Sequence, residues 1–303
     1  MPNGHEAQPQ FEPPYGVIRG ALRAGQVIPF LGAGASLGGR KAGAPRQRGE
    51  HTHLPTGAVL GRYLAMKTRF PRGELRELTR VAQYYDAVNG RELLYRDLRS
   101  VFARDYSPSP LHACLAKLRV PLLIVTTNYD DLIERAFDSA GQPYDTVIHT
   151  TDPNCGDKVL WWKRGEPKPE QVIPNKLNVD LSSTTVIYKM HGAVDRHNPT
   201  RDQYVITEDD YIDFLARMTR NKAVPAIFAE PFQTRSFLFL GYGLRDWNLR
   251  VVLNRIEKDL RRPKTIKSWA IQRSPSPLEQ RFWRERGVEV FDITIEDFVK
   301  QLS

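Results

Sequence analysis

Two cysteines, Cys114 and Cys155, are all that the 303 residues offer. They cannot make a four-cysteine zinc site or a disulfide scaffold. No apolar run reaches the roughly 18 residues that a membrane span needs. The opening residues, MPNGHEAQPQ, lack the charged-then-apolar pattern of a signal peptide. No internal repeat is visible. These absences leave a soluble, intracellular α/β protein, cytoplasmic and without a membrane partner, as the starting expectation. Apolar residues make up 41% and charged residues 26%, which is enough to bury a core. The net charge of +9 suits an anionic partner, whether nucleic acid, a phosphorylated ligand or an acidic protein. Because the charge is spread along the chain, a solvated basic surface explains it equally.

Residues 1–14 carry four prolines and read as a flexible tail, leaving 15–303 as one domain. Val27–Leu31 reads as a buried parallel strand entering a tight turn at Gly32. Residues 38–53, GGRKAGAPRQRGEHTH, have no apolar period and read as a mobile basic loop. Helical periods cover about 55–68, 74–88 and 91–104, and Ser109-Pro110 opens a short helix. Leu122–Thr127 is a second buried strand, with Asp130 or Asp131 capping the helix after it. Residues 152–182 are rich in Pro and Gly and read as an irregular insertion. Further strands are expected at 185–190, 237–240, 268–271 and 288–291. Thr207 with Asp210 has capping-box spacing, and Leu249–Leu260 has a helical stripe.

Short apolar strands alternating with helices imply a doubly wound, Rossmann-like parallel sheet with helical insertions. Such sheets bind ligands outside the carboxyl ends of their strands. Four expected strands deliver glycines or polar groups there: Gly32-Ala33-Gly34-Ala35-Ser36, Thr127-Asn128-Tyr129-Asp130, His191-Gly192 and Gly241-Tyr242-Gly243. A glycine turn before a helix lets backbone approach a pyrophosphate, but Leu37 stands where a dinucleotide fingerprint has its third glycine. A plain tight turn explains the same residues. Asn128 suits a water or a ribose hydroxyl, or a turn. His191 suits proton transfer, or a structural place. His51 and His53 lack further ligands nearby, so no metal is expected. Trp161-Trp162 suits base stacking or a buried or interface aromatic pair. Arg261-Arg262-Pro263-Lys264 suits a solvated helix end.

The glycine loop Gly32–Ser36, the segment Thr126-Thr127-Asn128-Tyr129-Asp130, the pair His191-Gly192 and Phe239–Leu244 followed by Asp246 come in the order of a known family. The chain resembles the sirtuin-like family, in the divergent bacterial branch associated with anti-phage defence. Thr127 replaces a glutamine of that pattern, and Gly243 replaces a serine. The four zinc cysteines of deacylating sirtuins are absent, as is their Gly-Ile-Pro-Asp-Phe-Arg segment.

The resemblance implies an NAD glycohydrolase without a zinc module, with NAD as substrate. Asn128 and His191 are then catalytic. Asn128 positions water and ribose, and His191 serves as general base. Gly32, Ala33, Gly34 and Ser36 cradle phosphates. Thr127, Asp130, Gly241, Tyr242 and Gly243 line the cofactor, while Asp246 caps its helix. The resemblance also implies a homo-oligomer and a partner such as a HerA-type ATPase or an Argonaute-like protein. A non-catalytic NAD or ADP-ribose sensor and an NAD-dependent deacylase are the alternatives.

Overall fold

A computed structural model describes residues 12–38, 53–74, 77–219, 224–243, 254, 263 and 265–302. Most of the 1–14 tail and of the 38–53 loop, with His51, therefore lie outside the described residues. So do Leu244, Asp246, almost all of the 249–260 stripe, and Arg261, Arg262 and Lys264.

The chain builds a nine-stranded sheet in the order β5-β4-β3-β6-β2-β1-β7-β8-β9. The strands are β1 (Val27–Leu31), β2 (Leu123–Thr126), β3 (Tyr144–His149), β4 (Val159–Trp162), β5 (Glu170–Val172), β6 (Thr185–Lys189), β7 (Ser236–Leu240), β8 (Ser268–Gln272) and β9 (Val288–Asp292). From β3 to β9 every neighbouring pair is parallel. Among the described residues only the pairs β3–β4 and β4–β5, at one edge, are antiparallel.

Helices cover both faces, which is why the central strands are apolar throughout. Ile28 and Phe30 join Tyr188, Phe214, Phe228 and Trp283 on one face. That face is closed by α7 (Glu208–Thr219), α8 (Ala229–Thr234) and α9 (Pro277–Arg284). Val27 and Leu31 join Leu22, Leu115, Ile133 and Phe298 on the other. There the cover is α1 (Tyr15–Arg23), α5 (Pro110–Ala116), α6 (Leu132–Ser139) and α10 (Ile295–Leu302). The doubly wound reading is thus observed directly.

Three inserted helices, α2 (Gly57–Lys67), α3 (Leu78–Asn89) and α4 (Arg91–Phe102), form a third apolar cluster with Tyr129, Leu132 and Tyr204. Arg91 fastens α4 to α7 through a bidentate pair with Asp210, at 2.9 and 2.8 Å. Asp210 also closes the expected capping box, accepting from Thr207 N at 2.9 Å while Thr207 Oγ1 accepts from Asp210 N at 3.1 Å.

The sequence reading needs correction in two places. The 152–182 segment is not wholly irregular, because β4 and β5 extend the sheet through it. Trp161 donates to Asp145 Oδ2 at 2.8 Å and Trp162 to the Glu166 carbonyl at 2.8 Å, so both indoles are anchored within their own fold. Secondly, no α-helix follows the first glycine turn directly. Ala33–Leu37 is a 3₁₀ turn, and α2 begins only at Gly57.

Candidate functional site

The chain leaves β1 toward β2 on one side and later reaches β7 on the other, so the sheet changes winding direction around β1. Ligand sites in open α/β sheets form at such a switch point. The ends of β1 and β7 touch there. Gly34 N donates to the Gly241 carbonyl at 2.9 Å, and Gly32 N to the Leu240 carbonyl at 2.9 Å. Gly241 has φ of +78°, and a Cβ on it would lie 2.1 Å from Ala35 N. A Cβ on Gly34 would lie 2.8 Å from Gly241 Cα. The glycines are therefore required for two turns to interlock. Because the amides of Gly32 and Gly34 already donate within the protein, they are not free to hold a phosphate in this conformation.

Threonines at the end of β2 tie it to β1. Thr126 Oγ1 donates to the Leu31 carbonyl at 3.0 Å and accepts from Asn128 N at 3.0 Å. Thr127 and Tyr242 share a hydroxyl–hydroxyl hydrogen bond of 2.8 Å. Asn128 spends both amide hydrogens on the first turn, donating to the Gly32 carbonyl at 2.9 Å and to Ser36 Oγ at 3.1 Å. Its Oδ1 is left as the acceptor of the side chain. Ser36 Oγ passes its own hydrogen to Asp130 Oδ2 at 3.1 Å. Asp130 Oδ1 accepts from Leu132 N at 3.1 Å, so Asp130 is the residue that bonds the first turn of α6.

His191 follows β6, on the neighbouring strand, with no hydrogen bond to this network among the described residues. Its ring meets Tyr211 and Phe214 edge-on, with centroids 5.2 and 5.3 Å away. Nε2 is buried without a hydrogen-bond partner among the described residues. Burial pushes its pKa down to about 3, so the imidazole is neutral at physiological pH. Gly192 is fixed by packing, since φ is +89° and a Cβ would lie 2.2 Å from the Gln203 carbonyl oxygen.

The structure thus joins Ser36, Asn128 and Asp130 directly, and Thr127 to Tyr242. Gly243 is exposed, with open space where a Cβ would stand. Three residues near the rim escaped sequence reasoning. Lys189 and Glu134 form a buried ion pair of 3.0 Å beneath Asp130. His149, at the end of β3, meets Phe214 edge-on at 5.0 Å, and burial lowers its pKa to about 3. A lysine in an apolar strand was the one available signal. Among the described residues no group of three His, Cys, Asp or Glu side chains is placed to hold a metal ion.

Comparison with known proteins gives named relatives. Defence-associated sirtuin 2 of Bacillus subtilis is 26% identical over 220 residues, covering 71% of this chain and 19% of that protein. An NAD(+) hydrolase ThsA of Acinetobacter baumannii is 34% identical over 189 residues, covering 59% of this chain and 31% of its own. Its namesake in Enterococcus faecium is 32% identical over 193 residues, covering 61% and 33%. The chain therefore spans between about a fifth and a third of the length of these relatives. The SIR2-like domain profile matches residues 122–291, which run from β2 to β9 and include Asn128 and His191. The chain belongs to the SIR2-like domain family.

Proposed function

We propose that the chain hydrolyses NAD to nicotinamide and ADP-ribose, as a cytoplasmic NAD-depleting effector of anti-phage defence. The observation that carries this reading is the Ser36–Asn128–Asp130 network at the switch point, with a neutral histidine on the adjacent strand end. The names of the relatives support it.

In the reaction, the bond between nicotinamide and the ribose anomeric carbon breaks, and nicotinamide leaves as a neutral molecule with the bonding electrons. The sugar passes through an oxocarbenium-like state, and the oxygen of a water bonds to the anomeric carbon. Asn128, locked by its two donated hydrogen bonds, offers Oδ1 to that water or to a ribose hydroxyl. Neutral His191 accepts the proton released. A site with fixed dipoles and little water to reorganise lowers such a barrier. Ala33 and Ser36 line the phosphates beside the interlocked glycines. Thr127, Asp130, Tyr242 and Gly243 complete the wall. Self-association and a partner protein regulate the activity.

Incubation of the purified chain with NAD, with no acylated peptide present, tests this. Nicotinamide release that Asn128→Ala abolishes is the expected result. Binding without products would make the chain a sensor, and turnover only with an acyl-peptide would make it a deacylase. The assay is repeated with the product of a neighbouring ATPase or Argonaute-like gene, so that latency is not mistaken for inactivity.

A further inference from the structure

Every residue of β6 is buried, and the fifth is a lysine. Lys189 is 1% exposed. Burying an ammonium costs several kcal/mol unless partners compensate. The partners here are Glu134 of α6, at 3.0 Å, and the main-chain carbonyl of Asp130. Glu134 is itself mostly enclosed, and its second oxygen has no hydrogen-bond partner among the described residues. An apolar pair of similar volume commonly matches or exceeds the stability of a buried ion pair. Stability alone is thus a poor account of this lysine.

An apolar side chain could not hold the Asp130 carbonyl. The same residue spends its carboxylate on Leu132 N and Ser36 Oγ, and Ser36 Oγ accepts from Asn128. The backbone between Asn128 and Leu132 is therefore fixed at one end by α6 and from below by Lys189. Lys189 also lies two residues before His191 on the same strand, so one side chain ties the Asn128 turn to the strand that delivers His191.

We propose that Lys189, braced by Glu134, is a positioning residue that holds the Asp130 turn so that Ser36 and Asn128 keep their orientation. The inference rests on reading Asn128 as the reacting amide of the site. The decisive variant is the double replacement Lys189→Met/Glu134→Leu, which removes both charges together and avoids a lone buried ion. It folds with an unfolding temperature close to that of the parent. Its kcat for NAD falls at least tenfold while KM changes less than threefold, and the Asn128 side-chain NH₂ resonances in a ¹⁵N spectrum move. If the double variant unfolds, Glu134→Gln, which keeps an acceptor for Lys189, shows the same pattern in weaker form. A folded variant with parental kcat and unmoved Asn128 resonances overturns the proposal. If the parent releases no nicotinamide even with the neighbouring gene's product present, the hydrolase reading fails, and the Asn128 resonances still decide the role of Lys189.

Discussion

Ser36 and Asp130 stand 94 positions apart in the chain, yet the serine hydroxyl donates to the aspartate carboxylate at 3.1 Å. That bond joins the turn after β1 to the turn after β2, and Asn128 closes the triangle from the side. The site is a property of two strand ends meeting, not of either motif alone.

Asn128→Ala is expected to lower NAD turnover by roughly 10²–10⁴, the cost commonly seen when a positioned catalytic group is lost. It also frees two acceptors, so stability falls by about 1–2 kcal/mol. Steady-state kinetics beside chemical denaturation separates the two effects. Turnover near the parental rate in a folded variant removes Asn128 from the chemistry.

His191→Phe keeps the edge-on packing against Tyr211 and Phe214 but removes both nitrogens. We expect a loss of turnover like that of Asn128→Ala with little change in folding. Because burial holds the imidazole pKa down to about 3, kcat/KM should show no acid limb between pH 7.5 and 5 from this group. A limb centred near 6.5 would mean that His191 is solvated.

Gly241→Ala forces a Cβ to within 2.1 Å of Ala35 N at a positive φ, so the interlocked turns must separate. The expected cost is about 2–4 kcal/mol, with NAD hydrolysis lost. Gly243→Ala meets open space among the described residues and should leave stability within about 0.5 kcal/mol. Thermal unfolding of the two variants, which differ by one methyl two positions apart, checks the contrast.

Among the described residues three buried histidines contribute to the acid stability. Burial holds His112 down to about 4, and His149 and His191 down to about 3. The unfolded chain takes up these protons near pH 6.5, while the folded one does not. Their contribution is complete above that pH and falls as the solution is acidified toward 4, by about 1.4 kcal/mol per pH unit for each histidine. Denaturant midpoints between pH 7.5 and 4.5 measure this. His149→Phe should reduce the slope by roughly one third.

What the sequence disclosed depends on where partners lie. Phe237–Leu240 and Leu122–Val125 are apolar at every position because helices cover both sides, so their runs were legible. β3 was not, because Tyr144–His149 mixes in Asp145, Thr146 and His149. Asp145 is acceptable in a strand because the Trp161 indole and Arg164 N bond to it, and both arrive from the antiparallel edge. The same contacts order the segment read as irregular. In the site, Ser36, Asn128 and Asp130 were legible as short motifs. Lys189 was hidden because its meaning lies in Glu134 and a carbonyl of another turn. The glycines were found, but half of their reason was not, since the fit of Gly34 against Gly241 exists only once β1 and β7 are side by side.

That interlock bears on when the rim can be completed. During synthesis the ribosome releases β1, β2 and β6, with Asn128 and His191, well before β7. Until Gly241 arrives, Gly34 N has no carbonyl to hold it and Tyr242 is not there to meet Thr127. A prematurely terminated chain would carry Asn128 and His191 yet lack the Gly241 and Tyr242 contacts that complete the rim. On the proposed reading, unfinished translation products of this chain would then be inactive.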